Sequence, residues 1–242
     1  MRRQTVAAIA AVSVIAFSQI AAAADLPRKA PSAPPPPAAV YNWTGLYLGI
    51  NGGYGWGPTN GDWFALRGGN FDINGGLFGA QIGFNYQLPG SPLVLGVEAD
   101  WDWANIKGSN SATPFGIAIT HNAKISDLAT VRGRVGYAWD RVLLYGTGGW
   151  AWTHKASVDF TCPAGGCIPL SGADSQSLSG YTVGGGVEYG ITPNLSAKAE
   201  YLYAHLNSTN FFTGIGCTGT CNVGANINVV RLGLNWRFSR LP

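Results

Sequence analysis

Charge is what this sequence has least of. Asp, Glu, Lys and Arg make up 11% of its 242 residues, where a surface facing water carries about 25%. Much of the surface is therefore expected to face something other than water. Long hydrophobic runs are missing too. After residue 24 no stretch of about 18 consecutive apolar residues occurs, which excludes transmembrane helices. A closed β-barrel is the remaining way to cross a membrane, since it leaves no backbone polar group unpaired in lipid. A strong charge of one sign is also lacking: the 15 basic residues without Arg2 and Arg3 leave 13 against 12 acidic ones. Nucleic acid is not an implied partner.

The N-terminus carries what the rest does not. Arg2 and Arg3 precede an apolar run from Val6 to Ile20, and Ala22-x-Ala24 offers a cleavage site before Asp25. Residues 1–24 read as a secretory signal peptide, too short and alanine-rich in its core to span. Residues 25–40 hold Pro27, Pro31 and Pro34 to Pro37, an extended linker without a core. Peptidoglycan is a candidate partner for it. The four cysteines form two close pairs, Cys162 with Cys167 and Cys217 with Cys221. In an exported chain they are expected as disulfides, and three connectivities remain open. No histidine or carboxylate ligand stands beside them, so no metal site is expected.

From Trp43 onward the hydrophobic pattern has a period of two. Eight segments show it, near 44–56, 74–87, 92–103, 125–138, 141–154, 178–191, 195–206 and 226–238. Connections alternate between tight turns (88–91, 139–140, 192–194) and long segments (57–73, 104–124, 155–177, 207–225). Short turns on one side and long loops on the other are the pattern of outer-membrane barrels. The fold class expected is all-β, an eight-stranded antiparallel transmembrane barrel over residues 41–238 with a short tail, 239–242.

Parity then assigns faces. In 93–103 Glu98, Asp100 and Asp102 lie opposite Leu93, Leu95, Val97, Ala99, Trp101 and Trp103. Arg132 and Arg134 oppose Val131, Val135 and Tyr137, while Lys198 and Glu200 oppose Ala197, Ala199, Tyr201 and Tyr203. Arg231 and Arg237 oppose Val230, Leu232, Leu234, Trp236 and Phe238, and Glu188 opposes Val187 and Tyr189. The apolar face is crowned by aromatic residues, as a lipid-facing wall requires. Trp101, Trp103, Trp150, Trp152, Tyr201, Tyr203, Trp236 and Phe238 are its expected belts. The charges then point into the lumen as five acids and five bases, an ion-pair network without an open channel. Pairing is expected between Arg132, Arg134, Arg231, Arg237 and Glu98, Asp100, Glu188, Glu200. Asp127 breaks the parity and is placed near the loop end, above the hydrocarbon.

Two motifs compete with this structural reading. Gly146-Thr-Gly148-Gly-Trp-Ala151 fits G-x-G-x-x-G/A, but no helix follows to receive a phosphate and strand parity continues to Trp152. On a strand, Val142, Leu144, Gly146, Gly148, Trp150 and Trp152 face lipid, and Tyr145, Thr147 and Gly149 the lumen. His121, His154 and His205 lie toward the long-loop side. They read as single interfacial or loop residues, with a haem or metal ligand pair, or a serine-activating histidine, as the sharper alternatives. No cofactor and no catalytic residue is expected.

The stretches "WTGLYLGINGGYGWG", "GVEADW", "RGRVGYAWDRVLLYGTGG", "VGGGVEYGITPNLSAKAEYLY" and "VRLGLNWRF" resemble the small outer-membrane immunogenic protein family of alphaproteobacteria. The resemblance covers about residues 41–238 and implies an opacity-type, porin-like surface barrel that supports the envelope. It further implies outer-membrane lipids, lipopolysaccharide and the β-barrel assembly machinery as partners. Some relatives bind haemin, but no binding residues map onto this chain. Phe238 is followed by Ser239-Arg-Leu-Pro242, whereas such barrels end on the aromatic residue. The expected role is structural and non-enzymatic, with a narrow diffusion pore or a haem-binding surface receptor as alternatives.

Overall fold

The computed structural model describes residues 41–63, 70–113, 119–161, 172–212 and 221–238. The expected signal peptide, linker and tail lie outside these residues, as do Cys162, Cys167 and Cys217 and with them the disulfides. Eight strands run as β1 (Gly45–Trp63), β2 (Asp72–Gln87), β3 (Leu93–Ala112), β4 (Ile119–Trp139), β5 (Val142–Thr161), β6 (Gly172–Gly190), β7 (Leu195–Asn210) and β8 (Cys221–Phe238). Each pairs antiparallel with its neighbour, and β1 pairs with β8 from Leu46↔Phe238 to Trp63↔Cys221, which closes the ring. The tight turns fall where expected. Gly90 (φ 71°) and Asp140 (φ 48°) take the left-handed conformations that the first two of them need.

The strands are longer than the sequence pattern indicated. They run 16 to 21 residues, against about 9–11 needed to cross a bilayer. Much of what read as long loops, including 57–63, 104–112, 119–124, 155–161, 172–177, 207–210 and 221–225, is strand. Three register shifts explain the difference. One residue is inserted in β3 between Trp103 and Ile106, in β5 between Thr153 and Ala156, and in β7 between Leu206 and Thr209. Bulges of this kind reset the alternation locally. On β4 the inward residues are Thr130, Arg132 and Arg134 below that level but His121, Ala123 and Ile125 above it. A reading that asks for one unbroken parity therefore stops at the bulges.

The outer wall is apolar, with Ile50, Phe78, Val97, Leu144 and Leu232 all more than half exposed. Trp101, Trp103, Trp150 and Trp152 ring its loop end, and Tyr137, Trp139, Tyr189, Trp236 and Phe238 its turn end. Tyr201 stands exposed on β7 with its hydroxyl donating to Asn228 Oδ1 at 2.6 Å, and Tyr203 is half-buried two residues on.

Inside, the lumen has three storeys. At the turn end Tyr41 and Trp43, just before β1, cluster with Val94, Ala138, Leu143 and Tyr145. Charged residues fill the middle. Directly above them Leu128, Ala151, Leu202 and Val229, each two residues beyond a network-level position, begin an apolar core. That core continues through Ile106, Ile125 and Leu206 to Phe211 and Phe212.

Candidate functional site

The middle storey gathers charges that parity places on one face of five different strands. Glu98, Asp100, Asp102, Arg132, Arg134, Glu188, Lys198, Glu200, Arg231 and Arg237 are all at most 6% exposed. Registry brings all of them except Arg237 level, with Glu98↔Arg132 across β3 and β4, Glu188↔Lys198 across β6 and β7, and Glu200↔Arg231 across β7 and β8.

Two guanidinium groups hold the centre. Arg132 reaches Glu98 at 2.5 Å, Asp100 at 2.8 Å and Glu200 at 3.0 Å. Arg231 reaches Asp100 and Asp102 at 2.9 Å each and Glu200 at 2.8 Å. Their fixed forks of donors suit this bridging, since one planar group serves several carboxylates at once. Lys198 lies 2.9 Å from Glu98 and 3.7 Å from Glu200. Arg134 joins Glu188 at 2.8 Å and Glu98 at 3.5 Å. Neutral donors add to the ion pairs: Tyr47 on Glu98 (2.7 Å), Tyr145 on Glu200 (3.1 Å), Thr130 on Asp100 (2.7 Å), and Ser196 (2.5 Å) and Asn235 (2.9 Å) on Glu188. Asn235 also accepts from Gln81.

Arg237 departs from expectation. It shares the inward parity but sits one storey lower, donating to the Asn42 carbonyl at 2.8 Å and lying over the rings of Tyr41 (5.0 Å) and Trp43 (4.7 Å). No described carboxylate pairs with it. Parity gives the face of a residue but not its depth, which is why the pairing expected for Arg237 is not found.

The tyrosines of the network were not read as part of it, although Tyr47 shares the inward parity of Asn51 on β1. Glycine makes their room. A Cβ on Gly186 would lie 2.7 Å from the Tyr145 hydroxyl, and one on Gly83 would overlap the Tyr47 ring. Arg134 stacks on the Tyr145 ring at 3.8 Å, so the aromatic rings both fill the lumen and face a cation.

The histidines do not converge. His121 is buried and inward on β4. His154 is outward on β5, stacked on Trp101 at 5.0 Å, and His205 on β7 meets Asn226 through Nδ1 at 2.6 Å. Gly146 to Ala151, the formal phosphate-loop match, lie wholly within β5.

Asp127 has a local explanation. At the β5 bulge it accepts the backbone N–H groups of His154 and Lys155, the Thr153 hydroxyl and a contact from His154 Nδ1, all between 3.0 and 3.2 Å. The inserted residue removes these amides from the ladder, and the carboxylate replaces their lost acceptors. Asp127→Ala is expected to destabilise the barrel by roughly 1–3 kcal/mol, the penalty of unmet buried donors. The midpoint of urea unfolding, read from the gel mobility of unheated samples, checks this.

Comparison with known proteins returns the same architecture. Residues 7–238 match the model of the outer membrane protein beta-barrel domain. A 31 kDa outer-membrane immunogenic protein of Brucella melitensis biotype 1 is 34% identical over 98% of this chain and 100% of its own length. A 22 kDa outer membrane protein of Rhizobium leguminosarum bv. viciae is 30% identical over 86% of this chain and 83% of its own.

Proposed function

Because this chain belongs to the outer membrane protein beta-barrel domain family, we propose that it is a structural, surface-exposed barrel of the bacterial outer membrane whose lumen is closed. The observation that carries this reading is the middle storey: Arg132 and Arg231, each about 1% exposed, bridge carboxylates from β3 and β7 across the bore. An interior of eight strands is just wide enough for side chains to fill. The apolar core above and the Trp43 cluster below support the same conclusion, since an ion would have to shed its water to pass either.

Reconstitution of the full chain in planar bilayers tests the closed lumen. No single-channel steps are expected at any applied voltage, and sustained steps scaling with protein amount would replace this reading by that of a narrow diffusion pore. Envelope support is tested separately: loss of the protein should sensitise cells to detergent, and the non-conducting wild type should restore resistance.

A further inference from the structure

Counted at their ordinary charges, the carboxyl groups of the middle storey outnumber its cations by one. Glu98, Asp100, Asp102, Glu188 and Glu200 face Arg132, Arg134, Lys198 and Arg231, while Arg237 lies below, over the Tyr41 and Trp43 rings. One negative charge is thus left among residues that are at most 6% exposed. A buried carboxylate without a matching cation is costly, and its usual response is to take up a proton.

The hydrogen bonds single out Asp102. Both oxygens of Glu98, Asp100, Glu188 and Glu200 are met by a guanidinium, an ammonium or a neutral donor. Asp102 Oδ2 accepts from Arg231 at 2.9 Å, but its Oδ1, also buried, meets no donor among the described residues. Asp102 is the uppermost of the three acids on β3, and its ladder partners are Leu128 of the apolar core on β4 and Gly79 on β2. A Cβ on Gly79 would overlap Oδ1, so that oxygen lies over bare backbone. On the far side of Gly79 stands Asn51 of β1, 7% exposed, whose Oδ1 and Nδ2 have no hydrogen-bond partner among the described residues either. The charged groups around Asp102 are Arg231 of β8, Asp100 two residues below on β3, Glu200 of β7 on the same Arg231, and Arg132 of β4, which bridges Asp100 and Glu200. No cation among them serves Asp102 alone.

We propose that Asp102 supplies the balance by holding a proton: in the folded barrel it is a neutral carboxylic acid, its Oδ1–H donating to Asn51 Oδ1 while Oδ2 still accepts from Arg231. An amide N–H of Asn51 would satisfy the same oxygen but leave the charge, so the acceptor end of the amide is assigned to it. The proton comes from solvent as the chain folds and returns when it unfolds, because an unfolded aspartate is ionised at neutral pH. Folding therefore binds one proton, and through the neutral range each unit rise of pH weakens the folding equilibrium about tenfold. The inference rests on the closed lumen proposed above.

The full chain is refolded into phosphatidylcholine nanodiscs, and two quantities are read: the infrared C=O stretch of a protonated carboxylic acid at neutral pH, and the urea unfolding equilibrium across the neutral range. Wild type should show the band, and Asp102→Asn, which is neutral with nearly the same shape, should lack it. The ratio of the wild-type to the Asp102→Asn unfolding constant should rise about tenfold per pH unit, the other titrating groups being common to both. Asn51→Leu, which removes the acceptor and leaves the acid, should keep the band and move it to higher frequency. Absence of the band from wild type, its persistence in Asp102→Asn, an unmoved band in Asn51→Leu or a ratio independent of pH would each overturn the proposal. Planar-bilayer conductance separates the two readings: a silent barrel without the band refutes the proton alone, whereas a conducting barrel refutes the closure on which it stands.

Discussion

Replacing Arg231 by methionine is expected to cost the barrel about 3–5 kcal/mol, the range for removing one partner of a buried ion pair. The guanidinium serves three carboxylates closely, Asp100, Asp102 and Glu200, with Glu98 farther off at 3.9 Å, and it is the only ion-pair partner of Asp102 among the described residues. Within the middle storey five acids face four cations, because Arg237 lies below. Loss of Arg231 leaves this storey two charges short. Arg132 and Lys198 are already committed to Glu98 and Glu200 and cannot turn to Asp102. The expected result is a lowered urea midpoint and a fraction of chain that migrates as unfolded without heating. Adding Asp102→Asn and Glu200→Gln to Arg231→Met should recover part of the loss, since the methionine stem fills space and the orphaned charges are gone. Recovery would separate charge imbalance from poor packing, because the two act together and their effects will not sum. An unchanged midpoint in Arg231→Met would show that the carboxylates are held by something other than these pairs.

The second large effect is expected at the opposite end of the lumen. Trp43 is fully buried, packs edge-on against Tyr41 at 4.8 Å, and donates its indole N–H to the Asp140 carbonyl at 3.0 Å. Its own amide donates to Gln87 Oε1 at 3.0 Å, so one residue ties the entry of β1 to the turns after β2 and β4. Trp43→Ala should cost about 3–5 kcal/mol, as buried tryptophan truncations do. Trp43→Phe should restore most of the packing but not the N–H bond to Asp140. With the lumen closed as proposed, neither variant should conduct ions, because the substitution leaves the charged storey above unchanged. A conducting Trp43→Ala barrel would make the cork, rather than the ion pairs, the barrier.

Glu98, Asp100 and Asp102 opposite four apolar residues and two tryptophans were enough to decide which face is the lumen. Arg132 and Arg134, Lys198 and Glu200 repeated that message on other strands. The reason is physical: one wrong register step would put arginines into lipid, so alternation is enforced wherever the wall meets hydrocarbon. Above the tryptophans that pressure ends. There the bulges near Trp103, Thr153 and Leu206 shift the phase, and Ile106, Ile125 and Leu206 form a core that no single period reveals. Trp43 stands in sequence only at the start of the period-two pattern; the closed ring shows it turned inward.

The network also bears on how the barrel is made. Arg231 is on β8, the last strand, while its carboxylates are on β3 and β7, as many as 131 residues away in the chain. A chain that has assembled β1 to β7 but not β8 holds Asp100, Asp102 and Glu200 without their shared cation. The open form therefore holds two acids of the middle storey in excess of its cations, and the final strand both seals the seam with β1 and removes one of these two excess charges. Completion is thereby checked by charge, and a truncated or slipped last strand marks itself as unfinished.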